Sequence, residues 1–359
     1  LKKRGYAVTV VTSPAAEKFV TKLTFKTLAD EAYAEDDWQE RPLLHVELAR
    51  AADAFLIAPL TANTLAKLAH GLADNLLTAT ALAHHKPLLL APAMNATMLA
   101  APPTQENLKK LTSYGHEIVK PEEGLLACNE YGEGKLASTE RLLLAVERAL
   151  HPKPLKGKKV LVTGGATREY LDPVRYLSND SSGRMASALA RAAYLLGASV
   201  ELILGHASVP PPEGLPITRV TTAEQMRRAL LERFPEADLV IMNAAVADFR
   251  PAETYRNKLK KSDELTVKLV KNPDLLEELG KLKTRQKLVG FALETERLLE
   301  NAYEKLKKKN LDAVVANPAS VMGSERFEGY LITRNERLFL KGPKEQVALE
   351  LLEKLSELL

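Results

Sequence analysis

Two successive series of short apolar runs, spaced by helix-length amphipathic stretches, leave little choice of architecture. In the first half the strand-like runs are 7–11, 54–58, 87–91 and 116–119. Helical patterns at 15–23, 43–51, 63–70, 76–83, 105–114 and 139–150 surround them. Short apolar strands alternating with helices point to an open parallel sheet covered on both faces. The series restarts with strands at 160–162, 199–204, 239–243, 288–293, 313–316 and 329–332. Helices at 184–196, 223–234, 296–309 and 343–358 go with them. We therefore expect an α/β chain of two open parallel-sheet domains, residues 1–150 and 160–359. Between them the polar, basic, proline-containing segment 151–159 reads as a linker with solvated charges. At 359 residues the chain is long enough for two such cores.

Charge narrows the function classes. Lys+Arg is 50 against Asp+Glu 46, a formal net charge of +4, so no general attraction to nucleic acid or an anionic membrane is expected. The one cysteine, Cys128, rules out an intrachain disulfide and fits a reducing cytoplasm. No uninterrupted apolar run is long enough to span a bilayer. The chain opens on Leu1-Lys-Lys-Arg-Gly5, which reads as the tail of a helix, so a preceding segment is expected.

Ligands of open α/β sheets bind beyond the carboxyl ends of the strands, so the loops there carry the chemistry. After 54–58 come Thr61, Asn63 and Thr64. They offer hydroxyls, an amide and a helix N-terminus, which suit either a phosphate or simple capping. After 87–91 comes Pro92-Ala-Met-Asn95, a tight turn ending in an amide. His45 lies near a helix start, and Cys128 sits in the glycine-containing stretch 124–134, read as a flap. A thiol there is either a proton donor or an inert core group.

Taken in order, HVELARAAD (45–53), APLTANTLAKLAHGLADNLLT (58–78), APAMN (91–95) and the Cys128 flap resemble the phosphopantothenoylcysteine decarboxylases. The resemblance covers residues 1–150. It implies a flavodoxin-like flavoprotein domain with FMN held by loops that include Thr61, Asn63 and Thr64. It implies active-site roles for His45 (positioning substrate and flavin), Asn95 (binding the substrate carboxylate) and Cys128 (protonating the product). FMN would oxidise the substrate's cysteine side chain to a thioaldehyde, a sink for the electrons left by CO2. The family's first strand and the glycine loop after it would precede Leu1. Two positions depart from the family: Asn129-Glu130 stands where relatives have Gly-Asp, and Leu60 where they have alanine.

In the second half, strand 160–162 runs into Thr163-Gly-Gly-Ala-Thr167. A dinucleotide site is disfavoured: GxGxxG is missing, and the second strand ends in Gly205-His206 with no acidic residue for a ribose. Asn179, Ser181, Ser182 and Gly183 put donors at a helix N-terminus, either an anion site or multiple capping. Asp248 ends another strand, and a basic cluster follows around Lys258. Phe291 could stack a base, and Lys305 and Lys309 share a helix face.

Together TGGATREYLDPVRYLSNDSSGRM (163–185), NAAVADF (243–249), KLKK (258–261), VKNPD (270–274) and GFALET (290–295) resemble the phosphopantothenate–cysteine ligases. This match spans about 155–359, a Rossmann-like ligase domain. Decarboxylase then ligase is the arrangement of the bacterial bifunctional enzymes of coenzyme A biosynthesis. The resemblance implies that CTP with Mg2+ activates phosphopantothenate as an acyl-cytidylate, which the amine of cysteine then attacks. Phosphopantothenoylcysteine is next decarboxylated to phosphopantetheine. Asn179 would hold the acyl-cytidylate and Lys258 would act in its capture. Met242, Asn243, Ala244, Asp248, Pro273, Asp274, Leu275, Leu276, Phe291, Lys305 and Lys309 match CTP-binding positions. No metal ligand is assigned. The family implies homo-oligomers, with ligase dimers and flavin-domain trimers. The alternatives are a ligase with an inactive flavin domain, a binding module and a dinucleotide oxidoreductase. The joint presence of His45, Asn95 and Cys128 speaks against the second.

Overall fold

In the computed structural model, residues 1–127, 129–260, 264–294, 296–318 and 323–359 are described. The chain forms two compact units, Leu1–Leu150 and His151–Leu359. No helix among the described residues is long and apolar enough to cross a membrane.

The first unit contains β1 (Thr9–Val11), α1 (Lys22–Leu28), β2 (Glu31–Tyr33), α2 (Glu35–Glu40), α3 (Leu44–Ala51), β3 (Phe55–Leu60), α4 (Ala62–His70), α5 (Leu76–Ala83) and β4 (Leu88–Pro92). It continues with α6 (Ala96–Ala100), α7 (Pro102–Ser113), β5 (Glu117–Ile118), β6 (Glu122–Leu125), β7 (Tyr131–Lys135) and α8 (Thr139–Leu150). β3, β4 and β5 pair in parallel. β4 is buried at every position, which is why it reads as an unbroken apolar run. Ile57, Leu60, Leu65, Ala69, Leu90 and Leu111 form the core between this sheet and its helices. α4 starts at Thr61 and closes on Gly71 at φ 68°; α5 starts with a reciprocal Asn75–Thr78 capping box.

Three expectations change here. The strands do not form one ladder: β1 and β2 pair separately from β3–β5. The helix expected over 15–23 is a 3-10 turn, Ala16–Lys18, followed by α1. The Glu17 carboxylate accepts the Lys22 amide (2.9 Å), which a continuous helix would have given to the Lys18 carbonyl. The flap at 124–134 is a β-hairpin, β6 paired antiparallel with β7.

The second unit contains β8 (Lys159–Gly164), β9 (Arg168–Tyr170), β10 (Tyr176–Ser178), α9 (Arg184–Leu195), β11 (Ser199–Leu204), β12 (Ile217–Arg219), α10 (Ala223–Arg233), β13 (Leu239–Met242), β14 (Phe249–Pro251) and β15 (Leu269–Lys271). It ends with α11 (Leu275–Leu282), β16 (Lys287–Glu294), α12 (Leu298–Lys308), β17 (Ala313–Pro318), β18 (Arg326–Thr333), β19 (Arg337–Pro343) and α13 (Lys344–Ser356). The sheet order is β12-β11-β8-β13-β16-β17-β18-β19, parallel as far as β17. β18 and β19 are added antiparallel at the edge. The parallel part runs outward from β8 to one side, then returns from β8 to the other. This is the doubly wound Rossmann order, with its topological switch between β8 and β13.

The segment 151–159 is not a solvated linker. Leu155 is fully buried and its amide bonds the Leu196 carbonyl (3.0 Å). The Lys158 ammonium reaches the Leu359 carbonyl (3.1 Å). An apolar residue inside the basic run anchors it to the second unit.

Candidate active sites

In the first unit the loops after β3 and β4 are neighbours, because the Ala93 amide donates to the Leu60 carbonyl (3.1 Å). Thr61 caps α4, its hydroxyl accepting the Thr64 amide (3.3 Å) and lying 3.2 Å from the Thr64 hydroxyl. Thr61 and Asn63 are both exposed at this end of the sheet. Asn95 caps α6 by accepting the Thr97 and Met98 amides (2.9 and 3.4 Å). Its side-chain NH2 donates to the Glu130 carboxylate (3.0 Å). Cys128 itself lies outside the described residues. Its neighbours Leu126 and Glu130 close the hairpin tip, with the Leu126 amide on the Glu130 carbonyl (2.8 Å). Asn129 takes φ 60°, the left-handed conformation that glycine enters freely and asparagine better than most.

The hairpin is seated by glycines. Gly134 has φ 142°, and a Cβ there would stand 2.1 Å from the Met94 carbonyl oxygen. The Met94 amide in turn donates to the Gly134 carbonyl (3.0 Å). So β7 is fixed against the turn that carries Asn95.

His45 lies at the start of α3. Its Nδ1 accepts the Trp38 indole N–H (3.1 Å), and the rings meet edge to face at 5.4 Å. Both rings line a cavity of about 300 Å³ with Ala73, Ala79, Leu82 and Ala83. The exposed hydroxyls and amide after β3 suit a phosphate, and the cavity beside Trp38 and His45 suits an apolar group. Sequence reasoning missed Trp38, and it noted Glu130 only as a departure from the family, not as the partner of Asn95.

In the second unit the carboxyl ends of β8, β11 and β13 are stitched together. Gly165 has φ 70°, and a Cβ there would lie 2.5 Å from the His206 carbonyl oxygen. Its carbonyl accepts the Ala245 amide (2.8 Å). The Thr163 and Thr167 hydroxyls accept the Ala244 and Ala247 amides (3.2 and 3.0 Å). Asn179 joins the same loop, its NH2 donating to the Val246 carbonyl (3.1 Å). The Asp248 carbonyl accepts the Asn272 amide, and the Asn272 side chain returns a bond to the Ala247 carbonyl (2.8 Å each).

Asn272 leads into Pro273 and Asp274. Asp274 caps α11 by accepting the Glu277 amide (3.0 Å) and pairs with Lys309 (2.7 Å). Burial pushes the Asp274 carboxyl up, but Lys309 and the Glu277 amide outweigh it and hold it below the ordinary carboxylate value. The Lys305 ammonium donates to the Phe291 carbonyl within β16 (2.5 Å). Burial, with Lys309 beside it, pushes Lys305 down, while Glu294, Asp274 and Asp248 oppose the shift. Asn179, Asp248, Asp274, Phe291, Lys305 and Lys309 thus belong to one connected edge.

The other expected positions stand differently. Met242, Leu275 and Leu276 are buried core side chains, so what they can offer a ligand is backbone. Leu276 fills the space a Cβ on Gly290 would need (2.8 Å). Asn243 and Ala244 are half-buried at the end of β13. Lys258 is exposed, on a loop held by a residue the sequence reading passed over. Fully buried Asp172 accepts the Val174 and Arg175 amides (2.8 Å each), the Leu259 amide (3.1 Å) and the Arg175 guanidinium (3.0 Å). Burial pushes its carboxyl up; these donors prevail and hold it down. The Asp-Pro pair at 172–173 was the available turn signal. Among the described residues no cluster of three His, Cys, Asp or Glu could hold a metal. A Mg2+ here would have to enter on phosphate oxygens with at most one or two carboxylates.

Residues 1–151 match the family described as Flavoprotein, and residues 155–359 the family described as DNA/pantothenate metabolism flavoprotein C-terminal domain. The coenzyme A biosynthesis bifunctional protein CoaBC of Vibrio vulnificus (strain YJ016) is 42% identical over 330 residues, covering 90% of this chain and 82% of its own. That of Borreliella burgdorferi is 37% identical over 360 residues, covering 98% and 92%. The crystal structure of the C-terminal domain of a CoaBC protein matches at TM-score 0.51 and 35% identity, over 57% of this chain and 97% of that one. By these matches the chain belongs to the family of coenzyme A biosynthesis bifunctional proteins.

Proposed function

We propose that the second unit joins phosphopantothenate to cysteine at the expense of CTP, and that the first decarboxylates the phosphopantothenoylcysteine with FMN, giving phosphopantetheine. The observation that carries the ligase half is the connected edge running from Asn179 through Asp248 and Asp274 to Lys309, Lys305 and Phe291. It runs from the carboxyl end of β13 to Phe291 within β16, beside the switch point where α/β sheets take nucleotides.

Lys305 and Lys309 bind the triphosphate and offset charge that grows on the departing pyrophosphate. Mg2+ arrives on the nucleotide. Phe291 stacks the base. Asn179 holds the acyl-cytidylate, and Lys258 closes from its Asp172-anchored loop over the attacked carbonyl. In the first unit Thr61, Asn63 and Thr64 hold the flavin phosphate, and Asn95 binds the substrate carboxylate. His45 orients substrate and flavin, and Cys128 delivers the proton. FMN supplies the reversible two-electron oxidation that makes CO2 loss feasible. The lone thiol and the substrates suit the cytoplasm.

The test is pyrophosphate release from CTP, with ATP as control. Release that requires phosphopantothenate and prefers CTP is expected. Its absence from folded protein supplied with Mg2+ sinks the ligase assignment. A flavin absorbance spectrum of the same protein then decides between two activities and a ligase alone.

A further inference from the structure

Trp38 lies outside every motif that carried the assignment, yet among the described residues it makes the one directed contact to the His45 ring. Its indole N–H is shared between the His45 Nδ1 (3.1 Å) and the Pro42 carbonyl (3.3 Å). An indole N–H only donates, so Nδ1 must present its lone pair, and the proton of the neutral imidazole sits on Nε2. Among the described residues Nε2 has no protein partner. The helix bearing Trp38 is fixed from two sides. The Glu35 carboxylate accepts the Leu76 amide at the start of α5 (2.9 Å), and Asp37 pairs with Lys22 (2.9 Å). α5 itself supplies Ala79, Leu82 and Ala83 to the cavity that Trp38 and His45 line.

We propose that Trp38 is a positioning residue for the first unit's reaction: it locks His45 as the Nε2–H tautomer, so that the ring presents a hydrogen-bond donor to an acceptor atom of the bound substrate or flavin. This rests on the reading of His45 as an active-site residue. The ring then enters the reaction as a donor with fixed orientation, and Trp38 doubles as the cavity wall that keeps it there. Fixing a functional histidine through its second nitrogen is a general device.

Two measurements test it on the full chain. The first is the 15N spectrum of the histidine rings, with His45 assigned by its loss in His45→Gln. A pyridine-like Nδ1 and a pyrrole-like Nε2 are expected; the reverse pattern overturns the proposal without any variant. The second is decarboxylation by Trp38→Phe, with ligase turnover of the same chain as the folding control. We expect the His45 signals to move toward a mixture of tautomers and kcat to fall about three- to tenfold, the bias one neutral hydrogen bond supplies. An unchanged spectrum and rate in Trp38→Phe, with His45→Gln inactive, overturns the role of Trp38 alone. Full decarboxylation by His45→Gln overturns the active-site reading of His45, and the proposal with it.

Discussion

Asn179 shows what a single amide does that its nearest relative cannot. Its NH2 donates to the Val246 carbonyl (3.1 Å), which ties the β10 loop to the loop after β13. In Asn179→Asp that donor is gone, and a carboxylate oxygen faces a carbonyl oxygen. Amide formation should fall by about 100- to 1,000-fold, the cost of losing one preorganised donor. Decarboxylation of supplied phosphopantothenoylcysteine should be untouched, and a near-normal ligase rate would remove Asn179 from the mechanism. Lys305 carries a second prediction. Its pKa lies below the ordinary lysine value of 10.5, chiefly through burial. Its charge is therefore lost earlier as pH rises, and with it the attraction for the triphosphate. The KM for CTP should climb at an alkaline pH where an ordinary lysine is still charged, and Lys305→Arg should shift that climb upward. An identical alkaline limb in both proteins would count against a phosphate contact. Asn179 and Asp274 could be singled out because they stand in an ordered string of motifs, and Lys305 and Lys309 because they share one face of a helix. Asp172 and Trp38 were not, because their roles depend on partners far along the chain or on the direction of a ring, which spacing does not encode.

The elements divide by how much of their information is local. α3 and α8 carry a clear helical period and appear within a residue of expectation, as does α5 behind its Asn75 cap. Among the strands of the second unit that went unread, β9, β10, β14 and β15 form two small two-stranded sheets apart from the main one. They have three residues each and face solvent over much of their length, so no alternation marks them. The β6–β7 hairpin was misread for another reason. Gly124, Gly132 and Gly134 look like loop residues in sequence, but in place they are strand residues where another part of the chain comes close. Gly134→Ala tests this. The new methyl would need the space of the Met94 carbonyl oxygen, at a φ of 142° that side chains rarely take. The hairpin should lift from the Asn95 turn at a cost of about 1–3 kcal/mol. Decarboxylation should collapse while ligation continues, as two assays on one preparation would show. A variant that keeps both would mean the hairpin's seat is irrelevant to the first reaction.

The division of the whole chain was readable because the strand–helix series begins again after a basic, proline-containing segment. What could not be read is that this segment belongs to the second unit, since one buried leucine decides it. Nor does sequence reveal where exposed apolar side chains gather in space. In the second unit Val174, Tyr176, Leu177, Phe249, Tyr255, Leu265 and Leu269 are all large and exposed. They sit on or beside the paired strands β9–β10 and β14–β15, and β14 runs next to β9. Single exposed apolar residues are ordinary, but a group on adjoining small sheets marks an interaction surface. These sheets flank the loops that bear Asn179 and Lys258, so a second copy seated there would also shield that edge from water. The expected outcome is a ligase dimer held by this surface. Replacing Leu177 and Leu269 together by Glu should halve the mass of the assembly, in light scattering, at the level where second units associate. CTP-dependent pyrophosphate release should weaken with it, while flavin absorbance stays. A double variant that keeps the original mass would show that the pairing surface lies elsewhere and that these strands are covered only by substrate.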